Sequence, residues 1–173
     1  MAPTPPVTVA QQVYLARYIT SDADGGFATV GLGAHDRWLQ EEDGASSIPD
    51  IGIGVVVSAS GWYPELATGD VVLELIEPSG RAVPLNEVDG ATAFSGGTPG
   101  EPYRVAFAIQ HHDVPTPDTG PHRLRVTTTL GGPAGQPPTT IVSEVELPVH
   151  APGAPADAQR PAPPPTRDSL GYL

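Results

Sequence analysis

The residues of this chain whose types and spacing bear on chemistry are few, and the densest group is His111-His112-Asp113, followed by His122, with His35-Asp36 elsewhere. Neutral imidazoles and a carboxylate are zinc ligands. Adjacent residues of a strand point to opposite faces, so at most one of His111 and His112 can join Asp113 and His122. The candidate metal set is therefore His111, Asp113 and His122. Its placement in a proline-rich connection favours exposed polar residues over a metal centre, and no metal or cofactor is expected.

Other catalytic patterns fall away on inspection. Asp22-Ala-Asp-Gly-Gly26 begins like a calcium loop, but the next ligand place and the twelfth, which needs a bidentate Glu, hold Gly26 and Gly33, so a hairpin turn is the better reading. Ala59-Ser60-Gly61-Trp62 lacks the leading glycine of a nucleophile elbow. The chain contains no lysine, which excludes a phosphate-binding Gly-x-x-x-x-Gly-Lys loop. It contains no cysteine either, so thiolate chemistry and disulfides are absent. Glu41 and Glu42 read as solvated. The expectation is a protein that is not an enzyme. The aromatic pair Trp62-Tyr63, between Gly61 and Pro64, suits an interface, since exposed rings anchor contacts; Trp38 reads as a plug for one end of the core.

Charge narrows the partners. Twenty acidic residues against eight basic ones, all arginine, give a net charge of −12. Such a surface repels phosphate backbones and anionic bilayers, so neither nucleic acid nor membrane is an expected partner. No basic n-region with an apolar h-region opens the chain, and no stretch has the length to span a bilayer as a helix. A cytoplasmic location, or a place in a virion or other protein particle, is the expectation.

The elements that position these residues follow a period of two. Ile51-Gly-Ile-Gly-Val-Val-Val57, Val71-Val-Leu-Glu-Leu-Ile-Glu77, Tyr103-Arg-Val-Ala-Phe-Ala-Ile109, His122-Arg-Leu-Arg-Val-Thr-Thr128 and Ile141-Val-Ser-Glu-Val-Glu-Leu147 each alternate an apolar face with another. Residues 13–20 and 27–33 read as an opening hairpin, 70–77 and 81–85 as a second one around Pro78 and Gly80, and 111–121 as a connection. Gly52 and Gly54 leave one face of their strand bare, open to close approach by another backbone. Turn residues between short strands predict an all-β, immunoglobulin-like antiparallel β-sandwich of seven to eight strands. Residues 1–12 read as an extended arm, 13–150 as the domain, and 151–173 as a proline- and alanine-rich tail.

Three stretches, taken in order, resemble a family of small bacterial β-sandwich proteins known only as a domain of unknown function. They are Tyr14-Leu-Ala-Arg-Tyr-Ile19 with Asp24-Gly-Gly-Phe-Ala-Thr-Val-Gly-Leu-Gly33, then Val72-Leu-Glu-Leu-Ile-Glu-Pro-Ser-Gly80, then Pro117-Asp-Thr-Gly-Pro-His-Arg-Leu-Arg-Val126. In the last, His122 stands where an aromatic is commoner. The resemblance covers residues 13–149 and implies a fold, without an activity to carry over.

The function expected from these readings is a non-enzymatic binding or assembly module. It would contact a protein partner, or another copy of itself, through strand edges, the Trp62-Tyr63 loop and the tail residues Leu170, Tyr172 and Leu173. The alternatives are a structural component of a phage or other particle and, from another class, a metal-dependent hydrolase or sugar-binding accessory domain.

Overall fold

The fold is all-β. A computed structural model describes residues 7–22, 26–33, 35–132 and 136–153. Its strands are β1 (Val9–Ala16), β2 (Tyr18–Ser21), β3 (Phe27–Val30), β4 (Arg37–Trp38), β5 (Gln40–Glu42), β6 (Ala45–Ala59), β7 (Asp70–Ile76), β8 (Ala82–Asp89), β9 (Tyr103–Pro115), β10 (Gly120–Leu130) and β11 (Thr139–His150). Helical structure among the described residues is limited to one 3₁₀ segment, Pro64–Thr68, and the single turn α1 (Gly90–Ala93).

The long strands form two sheets. In the first, β6 is central: β1 and β5 pair along one side of it and β9 along the other, all antiparallel. In the second the order is β4-β11-β10-β7-β8, with β4 joined to β11 in parallel. One core lies between them. Ile51, Ile53, Val55 and Val57 of β6 meet Val71, Leu73 and Leu75 of β7, Leu124 and Val126 of β10, and Leu147 of β11. The alternation of each run selects these residues, because only every second side chain reaches the core.

The other face of the second sheet is a charged ladder in water. The Arg123 and Arg125 guanidinium groups donate to the Glu144 carboxylate at 2.9 and 2.8 Å, as the alternation of β10 and β11 requires.

The first sheet has no such wet face over β6. β2 and β3 form a separate hairpin that lies across it, filling the space left by the two glycines. A Cβ at Gly54 would stand 2.8 Å from the Phe27 ring and 2.9 Å from Ile19, and one at Gly52 3.1 Å from Ile19. Gln110 ties the hairpin down: its amide nitrogen donates to the Arg17 carbonyl at 3.1 Å, and its oxygen accepts the Ile19 N–H at 3.0 Å.

Several boundaries differ from the sequence expectation. The first strand begins at Val9, because Val9, Gln11, Val13 and Leu15 alternate inward along the partners Ala59 to Ile53. The expected strand over 13–20 divides at Arg17: its first part pairs with β6 and its second with β3. The expected connection over 111–121 is strand as far as Pro115. Residues 35–42 supply the short strands β4 and β5.

Pro49 and Asp113, opposite one another, interrupt the β6–β9 ladder, with Asp113 in the left-handed region at φ 50°. Ile48 and Ile51 consequently both enter the core, three residues apart, which an unbroken period of two forbids. Arg37 is buried beside this break. It donates to the carbonyls of Asp50 at 2.8 Å, Asp36 at 3.0 Å and Ala16 at 2.7 Å. Burial pushes its pKa down to about 10, so it remains charged at neutral pH.

Candidate functional site

The two sheets leave four strand edges, and they are not alike. On one side of the molecule β1 lies against β11. The Gln11 amide nitrogen bonds across to the Val126 carbonyl at 3.1 Å and the Ser143 hydroxyl at 2.8 Å. The far end of β1 is held as well, the Arg17 N–H donating to Val30 and the Gly33 N–H to the Leu15 carbonyl. That side is held by the Gln11 side chain and by the bonds at the end of β1, without a backbone ladder between β1 and β11 among the described residues. On the opposite side the edges are β8 and β9, whose only strand partners among the described residues are β7 and β6.

An edge strand exposes a row of unpaired backbone groups, and proteins blunt it with proline, charge, bulges or short length. β8 carries three such devices: Pro84, a register shift opposite Leu73 and Glu74, and the acidic residues Glu87 and Asp89. From Tyr103 to His112 β9 carries no proline, glycine or carboxylate, and its one permanent charge is Arg104. Its first break is the left-handed Asp113, and its first proline is Pro115.

Which backbone groups of β9 face outward follows from the ladder. In an antiparallel pair, alternate residues turn their N–H and C=O toward the partner. The bonds from Arg17 and to Leu15 show that odd residues of β1 face away from β6, so its even residues bond to β6. The odd residues of β6 therefore serve β9, bonding Ile109 and its odd neighbours. Arg104, Ala106, Ala108, Gln110 and His112 then present their backbone groups to the open edge.

A buried polar network lies at the C-terminal end of this edge. Glu77, only 3% exposed, accepts two bonds from Arg81, from Nε and a terminal nitrogen, both at 2.6 Å. The Thr116 hydroxyl donates to the same carboxylate at 3.1 Å and accepts the Asp118 N–H at 3.3 Å. His122, fully buried, places Nε2 3.2 Å from that hydroxyl and Nδ1 3.2 Å from the Gly120 carbonyl. The Arg81 guanidinium, with support from Thr116, holds the Glu77 carboxyl below the usual carboxylate range. The network joins the turn before β8 to the connection after β9. It also floors an open cleft of about 420 Å³ lined by Ser46, Arg81, Val83, Pro115, Thr116 and Pro117, among others.

The sequence candidates are placed as follows. His111 sits in β9 opposite Ile51, where burial, and then the neighbouring His112, push its pKa down. Asp113 is exposed at the strand break, and His122 is buried in the network just described. The three are not brought together, and among the described residues no group of three or more His, Asp or Glu side chains is arranged to hold a metal ion. His112 instead pairs with Asp50, Nδ1 to Oδ1 at 2.7 Å, and Asp50 also accepts the Tyr18 hydroxyl at 3.1 Å.

Trp62 is half-buried: its indole N–H donates to the Phe94 carbonyl at 3.0 Å. Its backbone bonds Gly100 and Glu101. Tyr63 is half-buried against the core at the start of the 3₁₀ segment. Trp38 stacks on His150, ring centres 5.2 Å apart. Leu170, Tyr172 and Leu173 lie outside the described residues.

Sequence reasoning missed Glu77, Thr116 and Arg81 as a unit. The only local signal was the turn Glu77-Pro-Ser-Gly-Arg81, which brings residues four apart together; nothing in the text links it to Thr116. Comparison with family models, curated proteins and solved structures finds no match.

Proposed function

We propose that this protein is a non-enzymatic binding or assembly module that takes a protein partner by adding a strand to the β9 edge. The supporting observation is the run from Tyr103 to His112, a long edge with one strand partner among the described residues and no proline, glycine or carboxylate. Strand addition draws affinity from main-chain hydrogen bonds and specificity from alternate side chains. The half-buried Val105, Phe107 and Ile109 supply the apolar side of such a contact. The Trp62-Tyr63 loop and the tail residues Leu170, Tyr172 and Leu173 are further contact surfaces in this reading. We read the architecture as an immunoglobulin-like sandwich. Seven strands of seven residues or more, β1, β6 and β9 in one sheet and β7, β8, β10 and β11 in the other, support it.

Backbone amide exchange on the dilute full-length chain tests the proposal. The amides of Arg104, Ala106, Ala108, Gln110 and His112 should exchange fast, while those of Val105, Phe107 and Ile109 exchange slowly. Slow exchange of both sets in the monomer would mean that the chain covers its own edge, and the docking reading would fail.

A further inference from the structure

We infer that the partner at the β9 edge is a second copy of this chain, paired antiparallel about Ala108. The inference rests on the reading of β9 as a docking edge and adds the identity of the occupant. Three features of the strand carry it.

The outward-facing residues are symmetric about Ala108. An antiparallel two-fold pairing sets Arg104 opposite His112, Ala106 opposite Gln110 and Ala108 opposite Ala108. Five such bonded pairs form about ten main-chain hydrogen bonds. A two-fold contact uses the same patch on both copies, so each requirement is met twice. Gln110 is already engaged through its side chain with the hairpin, and the pairing asks only for its backbone.

The charges also favour this orientation. Arg104 is the second residue of β9, Asp113 lies at the break within it, and no carboxylate lies between them. Antiparallel pairing sets Arg104 of one copy opposite His112 of the other, with Asp113 one residue further along, whereas parallel pairing would set Arg104 against Arg104. Two chains of net charge −12 repel overall, so contact is least opposed along an edge free of acidic residues. The β8 edge, with Glu87 and Asp89, offers the opposite.

The third feature is side-chain fit. In this register Phe107 lies opposite Ile109 on the core-facing side, an aromatic and β-branched pair of the kind that stabilises neighbouring strands. Both are only partly buried in the single chain. The result is one sheet of six long strands, β1-β6-β9 from each copy, and neither copy keeps an exposed β9 edge.

Sedimentation and light scattering on the full-length chain over a dilution series test this. A monomer–dimer equilibrium is expected. Ala108→Pro removes an outward N–H that the monomer does not use, so it should leave the fold intact and weaken the dimer about 100-fold or more. Arg104→Glu, an exposed change, should weaken it about tenfold, with an unchanged circular dichroism spectrum as the control for folding. Amide exchange of the even-numbered β9 residues should slow as dimer forms. A chain that stays monomeric at every concentration overturns the inference, and so does a dimer indifferent to both substitutions. If the monomer's even-numbered amides nonetheless exchange fast, the open-edge reading survives and another strand is its occupant. If they are slow in the monomer, both readings fail.

Discussion

β8 and β9 are neighbouring edges over one core, and they handle the same hazard in opposite ways. β8 presents Pro84, a register shift and two carboxylates, each of which removes or repels a would-be partner strand. β9 presents a longer run with alternating half-buried apolar side chains and no such device before Asp113. Since β8 shows that this chain has the means to blunt an edge, the bare stretch in β9 reads as a retained feature. Their sheets differ in the same sense. The outer face beside β8 is a solvated ladder of Arg125, Glu74 and Glu144, while the outer face beside β9 carries the β2–β3 hairpin. The first sheet is thus buried on both faces over β6, which leaves its edge as the place to extend it.

The largest expected effect tests whether the two edges share one foundation. Ile53 in the sheet of β9 and Leu73 in the sheet of β8 are both fully buried in the same cluster. Ile53→Ala and Leu73→Ala should each destabilise by about 2–5 kcal/mol, read as a shift in the urea midpoint. A large cost on one side with almost none on the other would mean that the edges rest on separate cores.

Next is the hairpin that distinguishes the two sheets. Gly54→Val adds atoms where Phe27 and Ile19 already lie within 3 Å of a Cβ. Overpacking of this kind costs about 1–3 kcal/mol. Amides of β2 and β3 should lose protection while β7 and β10 keep theirs. Uniform loss across the molecule would contradict the hairpin as a separable cover.

How much of this was legible in the sequence depends on the range of the interaction. The period-two runs located most of the core, since Ile51 to Val57 and Leu124 to Val126 need only know their own alternation. The bareness of Gly52 and Gly54 also left that face open to close approach, and Ile19 and Phe27 of the hairpin fill it. Three things were not readable. The Pro49–Asp113 break depends on two residues far apart in the chain, and no local spacing marks it. Glu77, Thr116 and His122 meet only because β7 and β9 end where β10 begins, so no spacing encodes the network. The candidate set His111, Asp113 and His122 failed to converge because the strand carries His111 to one face and buries His122 in another sheet.

The Glu77 network ties the two edges together at one end, and its effect should depend on pH. The folded-state pKa of Glu77 is depressed, chiefly by Arg81. Its contribution is therefore present above the ordinary value of 4.5 and is lost as pH falls through the lower folded value. Glu77→Gln should cost about 1–2 kcal/mol at neutral pH and flatten the loss of stability on acidification below that value. An acid limb identical to that of the unsubstituted chain would show that other carboxylates govern it.

The smallest change in stability carries the sharpest test of the comparison. Pro84→Val restores an N–H to β8 opposite Glu74 and gives the strand a residue with high β-propensity. At an edge position outside the core this should alter stability by less than about 1 kcal/mol. If Pro84 blunts the edge, the variant should associate more strongly than the parent chain, and the added association should survive Ala108→Pro in the same molecule. If the double variant behaves like Ala108→Pro alone, then Glu87, Asp89 and the register shift suffice to protect β8. The contrast between the edges would then lie in charge and bulge geometry, with proline contributing nothing further.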